Sequence, residues 1–169
     1  MKLREIYELA VKMGIKADPR GDEIVRRILD DNNEELNNLS DNEKEFFDEE
    51  KLFNPYADSR ILYGDDDREI KKLIVGVDME TQELLLTAEL NRRGAAIDLV
   101  FSHHPEGVAL AALAEVMSLQ TDCMELLGVR PAMAEALMSG RIKEVGRSVG
   151  VNNHSRAVDA ARLLDMPFM

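Results

Sequence analysis

The sequence predicts an α/β protein that has a small, mostly parallel sheet flanked by helices and an acidic helical arm at the amino end. Residues Leu73–Val77 and Ile97–Phe101 have the apolar pattern of buried strands, and the segment ETQELLLTAELNRRG between them is typical of a helix. Strand, helix and strand in this order form a βαβ unit. The two strands of such a unit are parallel and are joined by a right-handed crossover.

The acidic arm is expected to comprise residues 1–57. An amphipathic helix is predicted from Leu3 to Gly14, and a second helical region from Asp22 to about Leu52. Residues 17–50 contain 13 acidic and 4 basic residues, a net charge of −9, so three quarters of the chain's net charge of −12 lies here. Two interpretations remain open: a pair of solvated helices packed on the body, or an arm that binds a basic protein partner or a sister subunit.

Residues 58–169 are expected to form the α/β core. It begins with a short strand candidate at Arg60–Tyr63 and contains the βαβ unit. Helices are then predicted over 107–128, from Pro131 and near Asn152, and the closing MPFM resembles the start of another strand. At 169 residues and 45% hydrophobic composition, the arm and the core are expected to form one structural unit.

Composition and charge exclude several classes of function. A formal net charge of −12 is unfavourable for direct nucleic-acid binding, which depends on clustered Lys and Arg. The apolar runs are too short to predict a membrane span or a signal peptide. The single cysteine, Cys123, can form no internal disulfide, so a cytoplasmic protein is expected. No phosphate-binding glycine motif and no serine hydrolase motif is present.

Chemically active residues follow both predicted strands. Asp78 follows the first, and His103, His104 and Glu106 follow the second. Because parallel strands end at the same edge of a sheet, these side chains are expected to share one rim. Imidazole and carboxylate together suit Zn, Fe, Mn, Ni or Co. Two ions about 3.5–4 Å apart would take one histidine each. The alternative is that one ring bonds a backbone carbonyl and the other faces water.

Residues 71–107, with their strand, helix and closing SHHP motif, resemble the Nif-three-like family, the homologues of the yeast Ngg-interacting factor three. This family is also catalogued as type-two GTP cyclohydrolase homologues. The resemblance implies an α/β fold, a toroidal homohexamer and a dinuclear metal site. It further implies that His103 and His104 are the carried-over ligands, one for each ion, with Asp78 near the site.

Two departures from the family pattern affect the site. The family has a further Asp, His and Glu ligand beyond a segment resembling DAARLLDMPFM, and this sequence ends at Met169. It is therefore expected to be a fragment of a longer protein or a shortened relative with an incomplete site. The usual HHPLIF is replaced by HHPEG, which makes Glu106 a candidate substitute oxygen ligand.

Two functions follow from these observations. The first is a metal-binding protein, in its enzymatic form a metal-dependent hydrolase of unknown substrate, in which Glu106 or Asp78 would orient water. The second is a non-catalytic scaffold or assembly subunit with a vestigial metal site. For His154, a packing or capping role at the start of a helix is expected, with an acid–base role in the cleft as the alternative.

Overall fold

The computed structural model describes residues 1–169 and is mostly helical around a small sheet. The helices are α1 Leu3–Ala17, α2 Asp22–Asn38, α3 Asp41–Lys44, α4 Thr81–Arg92, α5 Gly107–Ala111, α6 Leu113–Val116, α7 Ser118–Leu126, α8 Pro131–Val149 and α9 Ser155–Leu163. A 3-10 turn covers Glu49–Leu52. The strands are β1 Leu73–Gly76 and β2 Leu99–Ser102, so the α/β class and the βαβ unit are confirmed.

The sheet is extended beyond β2 by the end of the chain. The Val100 amide donates to the Pro167 carbonyl at 2.9 Å and the Ser102 amide donates to the Met169 carbonyl at 2.8 Å. Phe168 in turn pairs with Tyr63 in the antiparallel sense. The closing MPFM therefore behaves as the short strand that was expected, whereas the strand candidate at residues 60–63 forms only this bridge.

One face of the sheet packs against α4 and α9. Leu84 from α4 and Ala161 from α9 meet Val100 and Phe168 of the sheet, and all four are fully buried. The alternation of side chains along a strand sends these residues to one face and their neighbours to the other.

The opposite face packs against α1. Leu3, Tyr7 and Val11 recur at four-residue steps, which places them on one helical stripe, and they bury Leu99 and Met169. Helix α1, predicted as part of the arm, thus contributes to the core beside the sheet. The division at residue 57 remains a prediction about domains.

Two predicted helical regions are interrupted. The region from Asp22 to Leu52 breaks at Ser40, whose amide donates to the Glu43 carboxylate at 2.9 Å in a capping box that begins α3. The predicted helix over 107–128 is divided into α5, α6 and α7, because α5 packs mainly on α9 and less on α8, while α6 and α7 pack on α8. The chain changes direction between these helices in order to pack against both α8 and α9. A helical pattern in the sequence does not indicate such a change of direction.

Strand β1 has an exposed apolar side. Leu73, Val75 and Val77 are 40%, 60% and 55% exposed, whereas Ile74 between them packs against the buried cluster. Helix α1 covers the corresponding face of the sheet over β2 but not over β1. No helix of the protein combines the length and apolar character that a bilayer crossing needs.

Candidate functional site

The two loops that follow β1 and β2 lie at the same edge of the sheet. Gly76 is opposite Ser102 in the parallel register, and the pairing continues past both strands. The His103 amide donates to the Gly76 carbonyl at 2.9 Å, and the His104 amide donates to the Val77 carbonyl at 2.8 Å. These bonds fix the histidine loop against the end of β1.

The two imidazoles lie side by side at this edge. Their ring centroids are 5.3 Å apart and the ring planes differ by 29°, so the rings are stacked. Adjacent residues in a regular strand would point to opposite faces. The backbone bends directly after β2, at His103 and His104, and the bend brings both exposed rings to one side.

Asp78 holds the ring of His104. Its Oδ1 lies 2.6 Å from His104 Nδ1, which is the distance of a strong charge-assisted hydrogen bond. A carboxylate accepts here, so Nδ1 carries the proton and donates. The lone pair of Nε2 is then free to face outwards, as in the carboxylate–histidine pairs that support metal ligands.

The two remaining acids of the loops differ in their partners. Glu80 lies at the amino end of α4, and its carboxylate is 3.5 Å from the Arg156 guanidinium. Glu106 lies at the amino end of α5 and forms no ion pair with any Lys or Arg. Burial, and secondly the nearby charge of Glu80, raise the pKa of Glu106 above its ordinary value.

His154 forms its hydrogen bond with the backbone and not with the paired imidazoles. Its Nε2 donates to the Val149 carbonyl at 2.9 Å, and the ring is half-buried between α8 and α9. The side chain makes no capping bond to α9. This geometry agrees with the packing interpretation of His154.

A cavity of about 320 Å³ opens directly beside His103 and His104. It extends between the histidine loop, α1, residues 56–62 and the end of the sheet at Met169. Its apolar walls include Ala10, Val11, Leu62, Phe101, Ala109 and Met169. Sequence reasoning missed this cavity because its walls come from widely separated parts of the chain; the only local signal was the buried stripe of α1.

Asp58 and Arg60 bring charge to the cavity. The Arg60 guanidinium is occupied: it lies 2.7 Å from Asp48 and 3.4 Å from Glu50, and it donates to the carbonyls of Tyr56 and Ser59. The Asp58 carboxylate forms no ion pair, and burial raises its pKa above the ordinary value. The cavity therefore contains a carboxylate that lacks a bonded cation.

The side chains at the rim, the edge of the sheet where β1 and β2 end, are of the types that bind metal ions. Exposed imidazole nitrogens beside carboxylates are the donors that borderline transition metals prefer. No group of three or more His, Cys, Asp and Glu side chains is arranged to hold one metal ion.

Comparison with solved structures finds a match to the crystal structure of a NIF3 superfamily protein from Sphaerobacter thermophilus. The two chains are 31% identical with a TM-score of 0.60, and the match covers 66% of this chain and 38% of that chain. No family model and no curated protein matches the chain. The match confirms the resemblance to this superfamily and shows a NIF3-like fold. The chain spans little more than a third of the length of its structural relative.

Proposed function

We propose, on the premise of the NIF3-like fold, that the chain is a metal-binding protein in which His103 and His104 each hold a divalent transition metal ion. The observation that carries the proposal is the bond from His104 Nδ1 to Asp78, which turns Nε2 towards solvent beside the stacked ring of His103. Zn, Fe, Mn, Ni and Co all suit such donors. A cytoplasmic location belongs to the same proposal, since Cys123 is a free thiol.

The chemistry that fits this arrangement is hydrolysis. A bound transition metal ion supplies an activated water and polarises the oxygen atoms of a substrate. The chain contributes Asp78 to orient the imidazole of His104, and Glu106, which lines the same cavity as both histidines and forms no close ion pair, to orient water. The cavity beside the rings offers room for a substrate. No residue of the cavity or the rim specifies guanine.

Metal content tests the proposal. Purified protein is incubated with Zn²⁺ or Co²⁺, dialysed without chelator, and measured by elemental analysis. We expect the wild type to retain metal and the double variant His103→Ala, His104→Ala to lose it. His154→Ala is the matched control, because it removes the third histidine of the chain, whose ring bonds the Val149 carbonyl, and keeps His103 and His104. Equal metal in the wild type and the double variant would refute the proposal.

A second function, that of an assembly subunit with a vestigial metal site, is favoured by the exposed side of β1. Edge strands with exposed apolar side chains are surfaces through which chains associate. The expected assembly is a homo-oligomer, a hexamer by the family resemblance. Sedimentation of the wild type should give a mass well above the 19.0 kDa of one chain.

The variant Val75→Lys tests whether β1 carries this assembly. A lysine in the middle of the apolar side should dissociate the oligomer, because its charge would lose hydration in the interface. Leu163→Lys is the control, since Leu163 is 87% exposed at the end of α9 and away from β1. A wild-type mass of one chain would refute the assembly function.

A further inference from the structure

We infer that the cavity beside His103 and His104 binds a small organic amine, with its apolar body in the cavity and its protonated nitrogen against Asp58. This inference deepens the proposed function, because it names the class of ligand that would lie against the metal-binding rim. It depends on the shape and charge of the cavity and not on the presence of a metal ion.

The walls of the cavity define the body of the ligand. A volume of about 320 Å³ is at the small end of the range for ligand sites, about 300–1,000 Å³. Ala10, Val11, Phe101 and Met169 supply an apolar lining from both α1 and the sheet. A single ring or a short branched chain fits such a space and would release water from these walls on binding.

The charges of the cavity define the polar group of the ligand. Asp58 and Glu106 both line the cavity, and neither forms an ion pair with a Lys or Arg side chain. Burial disfavours the ionised form of the Asp58 carboxyl group, which raises the pKa of Asp58. A cation placed beside a desolvated carboxylate replaces the water that the carboxylate has lost.

The charge of Arg60 offsets that of Asp58 only in part, and the guanidinium of Arg60 is not free to bind an incoming anion. It is the cavity's one guanidinium; its side chain is 9% exposed and it is bonded to Asp48, Glu50 and two backbone carbonyls. A phosphate or carboxylate ligand would have to displace those partners. In the metal-free protein the cavity therefore favours a cationic ligand over an anionic one of the same shape.

Three matched probes test this preference: phenethylamine, phenethyl alcohol and 3-phenylpropionate. They share one ring and a two-carbon linker and differ in charge. Binding is measured by chemical-shift titration at pH 7 with protein that has been treated with EDTA and dialysed. We expect phenethylamine to bind about tenfold more tightly than the alcohol, the value of a hydrogen bond to a charged group, and the acid to bind more weakly than both.

Variants assign the effect to the cavity. Asp58→Asn should remove most of the preference for the amine over the alcohol, because the side chain keeps its shape and loses its charge. Asp30→Asn is the matched control, an exposed aspartate on α2 outside the cavity. Ala10→Phe should weaken binding of all three probes by filling the space beside Phe101, and circular dichroism checks that each variant is folded.

The result that would overturn the inference is 3-phenylpropionate binding as tightly as phenethylamine, or no saturable binding of the amine. An unchanged preference in Asp58→Asn would overturn it as well. The outcome is separate from that of the metal test, since the probes are titrated without metal and metal content is measured without probes.

Discussion

Replacing Asp78 separates its role in orienting His104 from any role in folding. Asp78→Ala removes the acceptor 2.6 Å from His104 Nδ1, so the ring loses both its fixed tautomer and its fixed orientation. Loss of such a supporting carboxylate reduces metal affinity by about 10–100-fold. At about 1.4 kcal/mol for each tenfold change, this corresponds to roughly 1.4–2.8 kcal/mol of binding free energy.

The same substitution should have little effect on the free energy of unfolding. The side chains of Asp78 and His104 are 68% and 59% exposed, so water and salt screen the pair. Exposed ion pairs contribute about 0–1 kcal/mol to folding. The two effects therefore differ in size, and one variant measured by two methods can distinguish them.

A second variant distinguishes orientation from direct ligation. Asp78→Asn keeps a carbonyl oxygen that can accept from Nδ1, so it should retain metal affinity within a few-fold of the wild type. If an oxygen of Asp78 bound the ion itself, the Asn and Ala variants would lose affinity to a similar extent. Competition of Zn²⁺ with a chromophoric chelator measures affinity, and urea unfolding of metal-free protein measures stability.

The control for both methods is Asp159→Ala. This substitution breaks the exposed ion pair between Asp159 and Arg162 of α9, in which a carboxylate oxygen lies 3.0 Å from a guanidinium nitrogen. It should change neither metal affinity nor stability by a measurable amount. Wild-type metal affinity in Asp78→Ala, or a loss of unfolding free energy above about 2 kcal/mol, would refute the orienting role.

Three further predictions concern the scaffold around the site. Asp18→Ala leaves the guanidinium of Arg20 buried with one partner fewer and should cost about 3 kcal/mol in urea unfolding. Burial acts to raise the pKa of Asp18, but the hydrogen bonds from Arg20 outweigh it and lower that pKa, so this stabilisation should fade as the pH falls through the lowered value. Gly107→Ala places a Cβ atom 2.6 Å from Val158 Cγ2, at a residue whose φ is +57°. The substitution should lower the melting temperature and shift the resonances of the histidine loop. Adding Val158→Ala to this variant should relieve the contact but not the backbone strain. Asp58→Asn should stabilise the protein at pH 7, because the raised pKa of Asp58 means that its ionised form opposes folding. The difference in free energy of unfolding between variant and wild type should vanish below the ordinary pKa of an aspartate, where Asp58 is protonated in both the folded and the unfolded state.

The βαβ unit could be predicted because its signal is local. The apolar runs of β1 and β2 and the helical segment between them are each encoded in consecutive residues, and parallel pairing follows from their order. The predicted continuous helix over 107–128 was wrong because its breaks depend on packing. α5 packs mainly on α9 and α6 and α7 pack on α8, and no residue between these three helices is a helix breaker.

The rim of the candidate site could be predicted for the same topological reason. Residues that follow neighbouring parallel strands must meet, so Asp78 and the two histidines were expected together. The tautomer of His104 depends on one distance and could not be expected from spacing. The cavity could not be expected either, because Tyr7, Asp58 and Met169 converge only once α1 and the end of the chain have packed on the sheet.

The handling of buried charge in this chain supports a ligand for the cavity. Where a charge is buried for structure, it is paired: the side chains of Asp18 and Arg20 are 0% and 5% exposed and lie 2.9 Å apart. Asp58 and Glu106 are also desolvated, yet neither carboxylate forms a close ion pair; Arg60 acts on Asp58, and Arg156 and His154 act on Glu106, only through longer-range charge. An unpaired desolvated carboxylate opposes folding, and replacement by Asn or Gln would remove that cost. Stability alone gives no reason to keep Asp58 beside an apolar cavity without a close partner, whereas the protonated nitrogen of a bound amine would supply that partner.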